Sequence, residues 1–146
     1  LKSLRDVTSD MVEKHRHEFP GKVYQRCAYV VGEIERVQLA SKDLDAGNLR
    51  AFGAKMFETH EGLSKLYEVS CPELDFLVGK ARNFEGVLGA RMMGGGFGGC
   101  TLNIIHQNSV DDFLEVARAS YRAEFGIEMS SYLVKTGNGT SVLEAH

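Results

Sequence analysis

The sequence predicts an α+β fold, an antiparallel sheet packed against helices. Three observations lead there. Apolar residues recur at helical spacing through residues 22–83, the period changes to strand-like runs on either side of a glycine-rich stretch, and the order helices, strand, strand, helix, strand contains no βαβ repetition. At 146 residues the chain is the size of one domain, either complete or part of a larger protein.

Residues 1–17 read as a helical segment of mixed polarity, closed by Pro20-Gly21. Over residues 22–44, Val23, Cys27, Val30, Val31, Ile34, Val37 and Leu44 trace one face of a long helix. Glu33, Glu35, Arg36, Lys42 and Asp43 take the others, and Gly47-Asn48 ends it. A second helix follows over residues 49–59, with Phe52, Met56 and Phe57 on one side. Ser70-Cys71-Pro72-Glu73 predicts a capping box: the Ser70 hydroxyl accepts the Glu73 N–H, and the Glu73 carboxylate reaches back to the Ser70 N–H. That helix runs to about Asn83 and buries Leu74, Leu77, Val78 and Ala81. Residues 87–92 and 100–105 then read as strands, with Cys100, Leu102 and Ile104 sharing one face of the second. Ser109 opens a helix over residues 110–125, Gly126 closes it, and a last strand over residues 130–136 precedes a polar tail.

Composition narrows the function classes. Lys and Arg number 17 against 20 Asp and Glu, a net charge of −3, which argues against a broad nucleic-acid surface. No apolar run approaches the roughly 20 residues of a membrane-spanning helix, and no secretory leader opens the chain. Cys27, Cys71 and Cys100 are odd in number, far apart and without CxxC spacing, which fits reduced packing thiols in a cytoplasmic protein better than a disulfide framework or zinc site. His15 and His17 sit among Glu13, Lys14, Arg16 and Glu18 and read as a solvated face, so no metal ligands are assigned.

Glycine is the skewed count: 16 residues, about 11% of the chain, with seven of them inside residues 86–99. In Met93-Gly94-Gly95-Gly96-Phe97-Gly98-Gly99 the backbone N–H groups are free of Cβ obstruction and can present an anion-binding concavity. The stretch lacks the GK[ST] of a Walker A loop and the following helix of a dinucleotide fingerprint. Composition leaves phosphate binding and a plain tight strand connection both open.

Residues 89–101, Gly-Ala-Arg-Met-Met-Gly-Gly-Gly-Phe-Gly-Gly-Cys-Thr, closely resemble the third signature motif of the galactokinases, within the GHMP small-molecule kinase superfamily. Leu4-Arg5-Asp6, Val30-Val31-Gly32-Glu33 with Arg36, His60 with Leu63, and Tyr67-Glu68-Val69-Ser70-Cys71-Pro72-Glu73-Leu74-Asp75 resemble further family segments in the family's order. The chain departs from the pattern at Ala28 and Tyr29, where Arg-x-His is frequent, and at Met93, where Thr is usual. The resemblance implies a GHMP kinase carboxy-terminal domain over residues 1–146, with the amino-terminal sugar- and ATP-binding half absent. It also implies a parent that transfers the γ-phosphoryl group of ATP to the anomeric hydroxyl of galactose with Mg²⁺ on the nucleotide. The loop glycines Gly94, Gly95, Gly96, Gly98 and Gly99 would then lie at the cofactor phosphates.

The family's catalytic Asp and its companion Arg fall in the absent half. Neither Asp75 nor Arg91 corresponds to them, so no catalytic residue is assigned. The implied partners are galactose, ATP and the amino-terminal half, with no nucleic acid and no membrane. The 146-residue chain alone is expected to hold no cofactor and to be inactive. A galactokinase-like regulatory sugar sensor and a sister sugar kinase, such as one for N-acetylgalactosamine, are the alternatives.

Overall fold

Thr8, Asn48 and Cys71 mark where three of the helices begin in the computed structural model, which describes residues 1–142. The Thr8 hydroxyl accepts the Met11 N–H and opens α1 (Ser9–Lys14). Before it, Ser3 and Asp6 cap a 3₁₀ turn (Leu4–Asp6), and a second 3₁₀ turn (Arg16–Glu18) follows it. The segment expected as one helix is therefore three short pieces. Ser3 and Thr8 each offer the backbone a side-chain partner that competes with helix continuation, and Val7 between them is extended.

Pro20 leads into α2 (Gly21–Asp45), which keeps its helical course through Gly32. Asn48 accepts the Ala51 N–H and opens α3 (Leu49–Lys65). This helix runs past Thr59 because its packed face continues: Gly53, Met56, His60 and Gly62 are all buried. The buried Tyr29 of α2 lies against Gly62, and its hydroxyl donates to the Thr59 carbonyl at 3.3 Å. Burial pushes the Tyr29 phenol up to about 12. The departure from the family pattern at this position thus serves the contact between α2 and α3.

Helix α4 (Pro72–Arg82) starts from Cys71, one residue later than the expected cap, with Pro72 in its first turn. The Ser70–Glu73 capping box does not form. From its position outside the helix Ser70 turns its hydroxyl to the Asp75 carboxylate, at 2.6 Å. Strands β1 (Val87–Met93) and β2 (Cys100–Ile105) pair antiparallel, with Ala90 opposite Asn103 and Met92 opposite Thr101. Helix α5 (Val110–Phe125) follows and ends at Gly126 in left-handed backbone. Ser109 precedes α5 without capping it, since its side chain packs on Gly86 instead.

The core lies between one face of the hairpin and two helices: Val78 and Ala81 of α4, Ala90 of β1, and Phe113 and Ala117 of α5 are buried together. The pleat turns Ile105 to the same side as Ala90 and leaves Cys100, Leu102 and Ile104 sharing the opposite face. Helix α3 runs along the edge of β1 away from β2. Its Gly53 lies against Leu88 so closely that a Cβ there would come within 2.0 Å of the Leu88 carbonyl oxygen.

No strand follows α5 among the described residues, a correction to the expected strand over 130–136. Met129 packs on the core rim and Arg118 bonds Ser131, but Tyr132, Leu133 and Val134 stay 84%, 81% and 73% exposed. Their alternation suits a strand, yet a strand exists only when a neighbour accepts its hydrogen bonds, and here none does. Residues 143–146 of the polar tail lie outside the described residues. No helix among the described residues is long and apolar enough to cross a membrane.

The contact between Gly53 and β1 yields a test. Gly53→Ala must push α3 off β1 and should lower stability by about 2–3 kcal/mol, seen as a reduced denaturation midpoint at unchanged slope. A Cβ at Gly32 in α2 would meet nothing within 4 Å. Gly32→Ala should therefore raise stability by about 0.5–1 kcal/mol.

Candidate functional site

The loop between β1 and β2, residues 94–99, is built on backbone conformations that side chains resist. Gly94, Gly96, Phe97, Gly98 and Gly99 all have positive φ, from 60° at Phe97 to 137° at Gly98. Glycine supplies this at small steric cost at four of the positions. At Gly96 space is decisive as well, because a Cβ there would come within 2.2 Å of the Val69 carbonyl oxygen. The Phe97 N–H donates to that same carbonyl at 2.7 Å and fixes the loop on the segment that leads into α4.

That segment is itself tethered. The Val69 N–H donates to the Leu63 carbonyl at 3.0 Å, and the Gln25 side-chain amide donates to the Lys65 and Leu66 carbonyls at the end of α3. Glu68, in left-handed backbone, pairs with Lys22 and Arg26 of α2. The hydrogen bond from Lys22 holds its carboxyl below the usual carboxylate range.

Phe97 spends its amide on this anchor. The amides of Gly94, Gly95, Gly96, Gly98 and Gly99 meet no protein acceptor among the described residues. Gly94, Gly95 and Gly99 are exposed and Gly96 and Gly98 partly so, while the Phe97 ring projects outward at 77% exposure. The five glycines singled out in the sequence thus lie in an exposed to half-exposed loop whose glycine amides have no protein acceptor among the described residues, a condition any anion-binding loop has to meet. Met93 precedes it, also exposed, and offers a thioether where the family pattern has a hydroxyl.

Beneath the loop lies a polar cluster. His60, 5% exposed, accepts the Met92 N–H on Nδ1 at 3.2 Å, and its Nε2 faces Asp75 Oδ1 at 3.1 Å. Ser64 and Ser70 donate their hydroxyls to the same carboxylate at 2.9 and 2.6 Å. Burial pushes the His60 pKa below its ordinary 6.5, against the opposing pull of Asp75. An open cleft of about 360 Å³, lined by His60, Glu61, Ser64, Asp75 and Arg82 among others, gives onto this cluster. A larger hollow of about 780 Å³ lies elsewhere, between Arg16, Phe19, Tyr24 and Leu66. Neither is bordered by the glycine loop.

The loop glycines are neighbours in the sequence itself, and the structure adds the His60–Asp75 contact, which a pattern reading leaves invisible. The one available signal was spacing: His60 continues the face of Gly53 and Met56 at i+7 and i+4. Asp75 is the fourth residue of α4 and plays no cap role. All three cysteines are free, but Cys100 is exposed at the start of β2 and is not the packing residue expected. Among the described residues no three His, Cys, Asp or Glu side chains gather as metal ligands would.

The family model of the GHMP kinases C terminal matches residues 40–123. The chain is 40% identical over 141 residues to the galactokinase of Homo sapiens and 35% identical over 139 residues to that of Roseiflexus sp. (strain RS-1), covering 97% and 95% of this chain. It spans about a third of those relatives, 35% and 36% of their lengths. Among solved structures, the galactokinase of Lactococcus lactis in complex with galactose superposes with a TM-score of 0.84 at 32% identity, over 88% of this chain and 33% of that one.

His60 also sets a pH dependence. Its folded pKa lies below the unfolded one, so between the two values the unfolded chain holds more protons and stability rises with pH. The contribution is complete above about pH 6.5 and is lost as pH falls through the folded value. Denaturation midpoints measured between about pH 7 and pH 5 should fall with pH, and His60→Asn should flatten that slope.

Proposed function

This chain belongs to the GHMP kinase C-terminal family, and on that premise we propose that residues 1–146 are the carboxy-terminal domain of a cytoplasmic galactokinase. In the intact protein the γ-phosphoryl group of ATP passes to the anomeric hydroxyl of galactose. The amino-terminal half holds the sugar and most of the nucleotide. The contribution of this chain is positional: Gly94, Gly95, Gly96, Gly98 and Gly99 turn their amides toward the ATP phosphates. Similarity to galactokinases across nearly the whole chain supports the reading, and the exposed, unspent loop amides carry it.

The residues present fit such a ligand. Donors without Cβ cover allow close approach of phosphate oxygens, and a net charge of −3 argues against a nucleic-acid partner. Phosphoryl transfer depends mainly on positioning and on stabilising spread negative charge, and fixed amides supply both without reorganising. Mg²⁺ would arrive on the nucleotide and neutralise phosphate charge. Val37, Tyr132, Leu133 and Val134 expose apolar surface that the amino-terminal half would cover.

Titration of the ¹⁵N-labelled chain with MgATP, or with inorganic phosphate, should move the amide resonances of Gly94, Gly95, Gly98 and Gly99. The Phe97 amide, committed to Val69, should move least. Gly96→Ala should weaken that response by displacing the loop from Val69. The chain alone should show no ATP- and galactose-dependent turnover in a coupled assay. Turnover by the pure chain, or perturbation confined to residues remote from the loop, would overturn the reading.

A further inference from the structure

The sequence sets a length match between a helix and a strand. Gly53 and His60 are seven residues apart on α3, about 10.5 Å of helix. Gly89 and Met92 are three apart on β1, about 10 Å of strand. With Gly53 pressed on Gly89, His60 therefore arrives beside Met92, where the main-chain N–H points away from β2 and its ladder. The ring accepts that N–H on Nδ1 at 3.2 Å. A nitrogen that accepts carries no proton, so the neutral ring holds its proton on Nε2, 3.1 Å from Asp75 Oδ1.

Asp75 gathers further contacts. Ser64 ties it to α3, and Ser70 ties it to the segment whose Val69 carbonyl holds the Phe97 N–H. Both points at which the glycine loop is fixed, Met92 at its entry and Phe97 within it, thus lead back to one carboxylate. Glu61 and Arg82 flank the cleft outside, paired with each other at 3.8 Å, and do not reach the ring nitrogens' partners.

We propose that His60, oriented by Asp75, is the positioning residue of the glycine loop: by holding the Met92 amide it fixes where β1 ends and at what angle residues 94–99 leave it. His60 touches no ligand in this role and exchanges no proton with one. The consequence for phosphate affinity rests on the function proposed above, whereas the anchoring does not.

Two variants divide the ring's two bonds. His60→Asn places an amide oxygen near the Nδ1 position and keeps an acceptor for Met92. His60→Gln places a donor near the Nε2 position and keeps only the link to Asp75. In hydrogen exchange on this chain, His60→Gln should accelerate the Met92 and Phe97 amides at least about tenfold relative to Val78 and Ala81 in α4. His60→Asn should leave Met92 close to the wild-type rate. Unchanged Met92 exchange in His60→Gln, or equal acceleration of Val78 and Ala81, overturns the proposal.

Should either variant fail to fold, ¹⁵N spectra of the wild-type ring decide. A proton on Nε2 with Nδ1 bare supports the proposal, and a proton on Nδ1 at neutral pH defeats it. A wild-type chain whose loop amides ignore phosphate while Met92 exchange follows this pattern removes the phosphate reading and leaves the anchoring intact.

Discussion

The fold depends on one close approach. Gly53 and Gly89 let a helix backbone touch a strand backbone, with no side chain between them. That contact lays α3 along the edge of β1 and covers main-chain groups that would otherwise seek a partner strand. It also sets the register in which everything farther along α3 meets β1. Met56 becomes core and His60 meets a main-chain amide. On the other side, α4 and α5 close over Ala90 through Val78, Ala81 and Phe113. The hairpin is held from its edge and from one face, and its loop is fixed at Val69.

These supports explain how a mostly exposed loop can stay ordered with little packing of its own. Positive φ at successive residues is costly for any residue except glycine, and Phe97 bears that cost once. Its amide is compensated by the Val69 carbonyl, while the surrounding glycines keep theirs unspent. The result is a donor surface whose position is set from below and whose outer side is available to a ligand. The proposed kinase role rests on this only together with the similarity to the relatives, since amide donors of this kind serve many anions.

Much of the architecture was legible because it is written in local periodicity. The helices α2, α4 and α5 and both strands follow their hydrophobic patterns to within a residue or two. The misses have several causes. The Ser70–Glu73 box did not form, and the Ser70 hydroxyl donates instead to the carboxylate of Asp75, five residues on. Ser109 gave up its cap to pack on Gly86. The stretch at Tyr132–Leu133–Val134 has the pattern of a strand, but a pattern does not provide the neighbour.

By itself the sequence determined the α+β class, the approximate extents of α2, α4, α5, β1 and β2, and the family motif with its five loop glycines, because periodicity and backbone permissiveness are properties of neighbouring residues. Only the tertiary structure decided which amide the loop spends and which it keeps, and that His60 and Asp75, fifteen positions apart, meet beneath it. Those outcomes depend on the distance and angle at which α3, α4 and β1 pack. No residue encodes that spacing alone; it emerges from two glycines on different elements coming into contact.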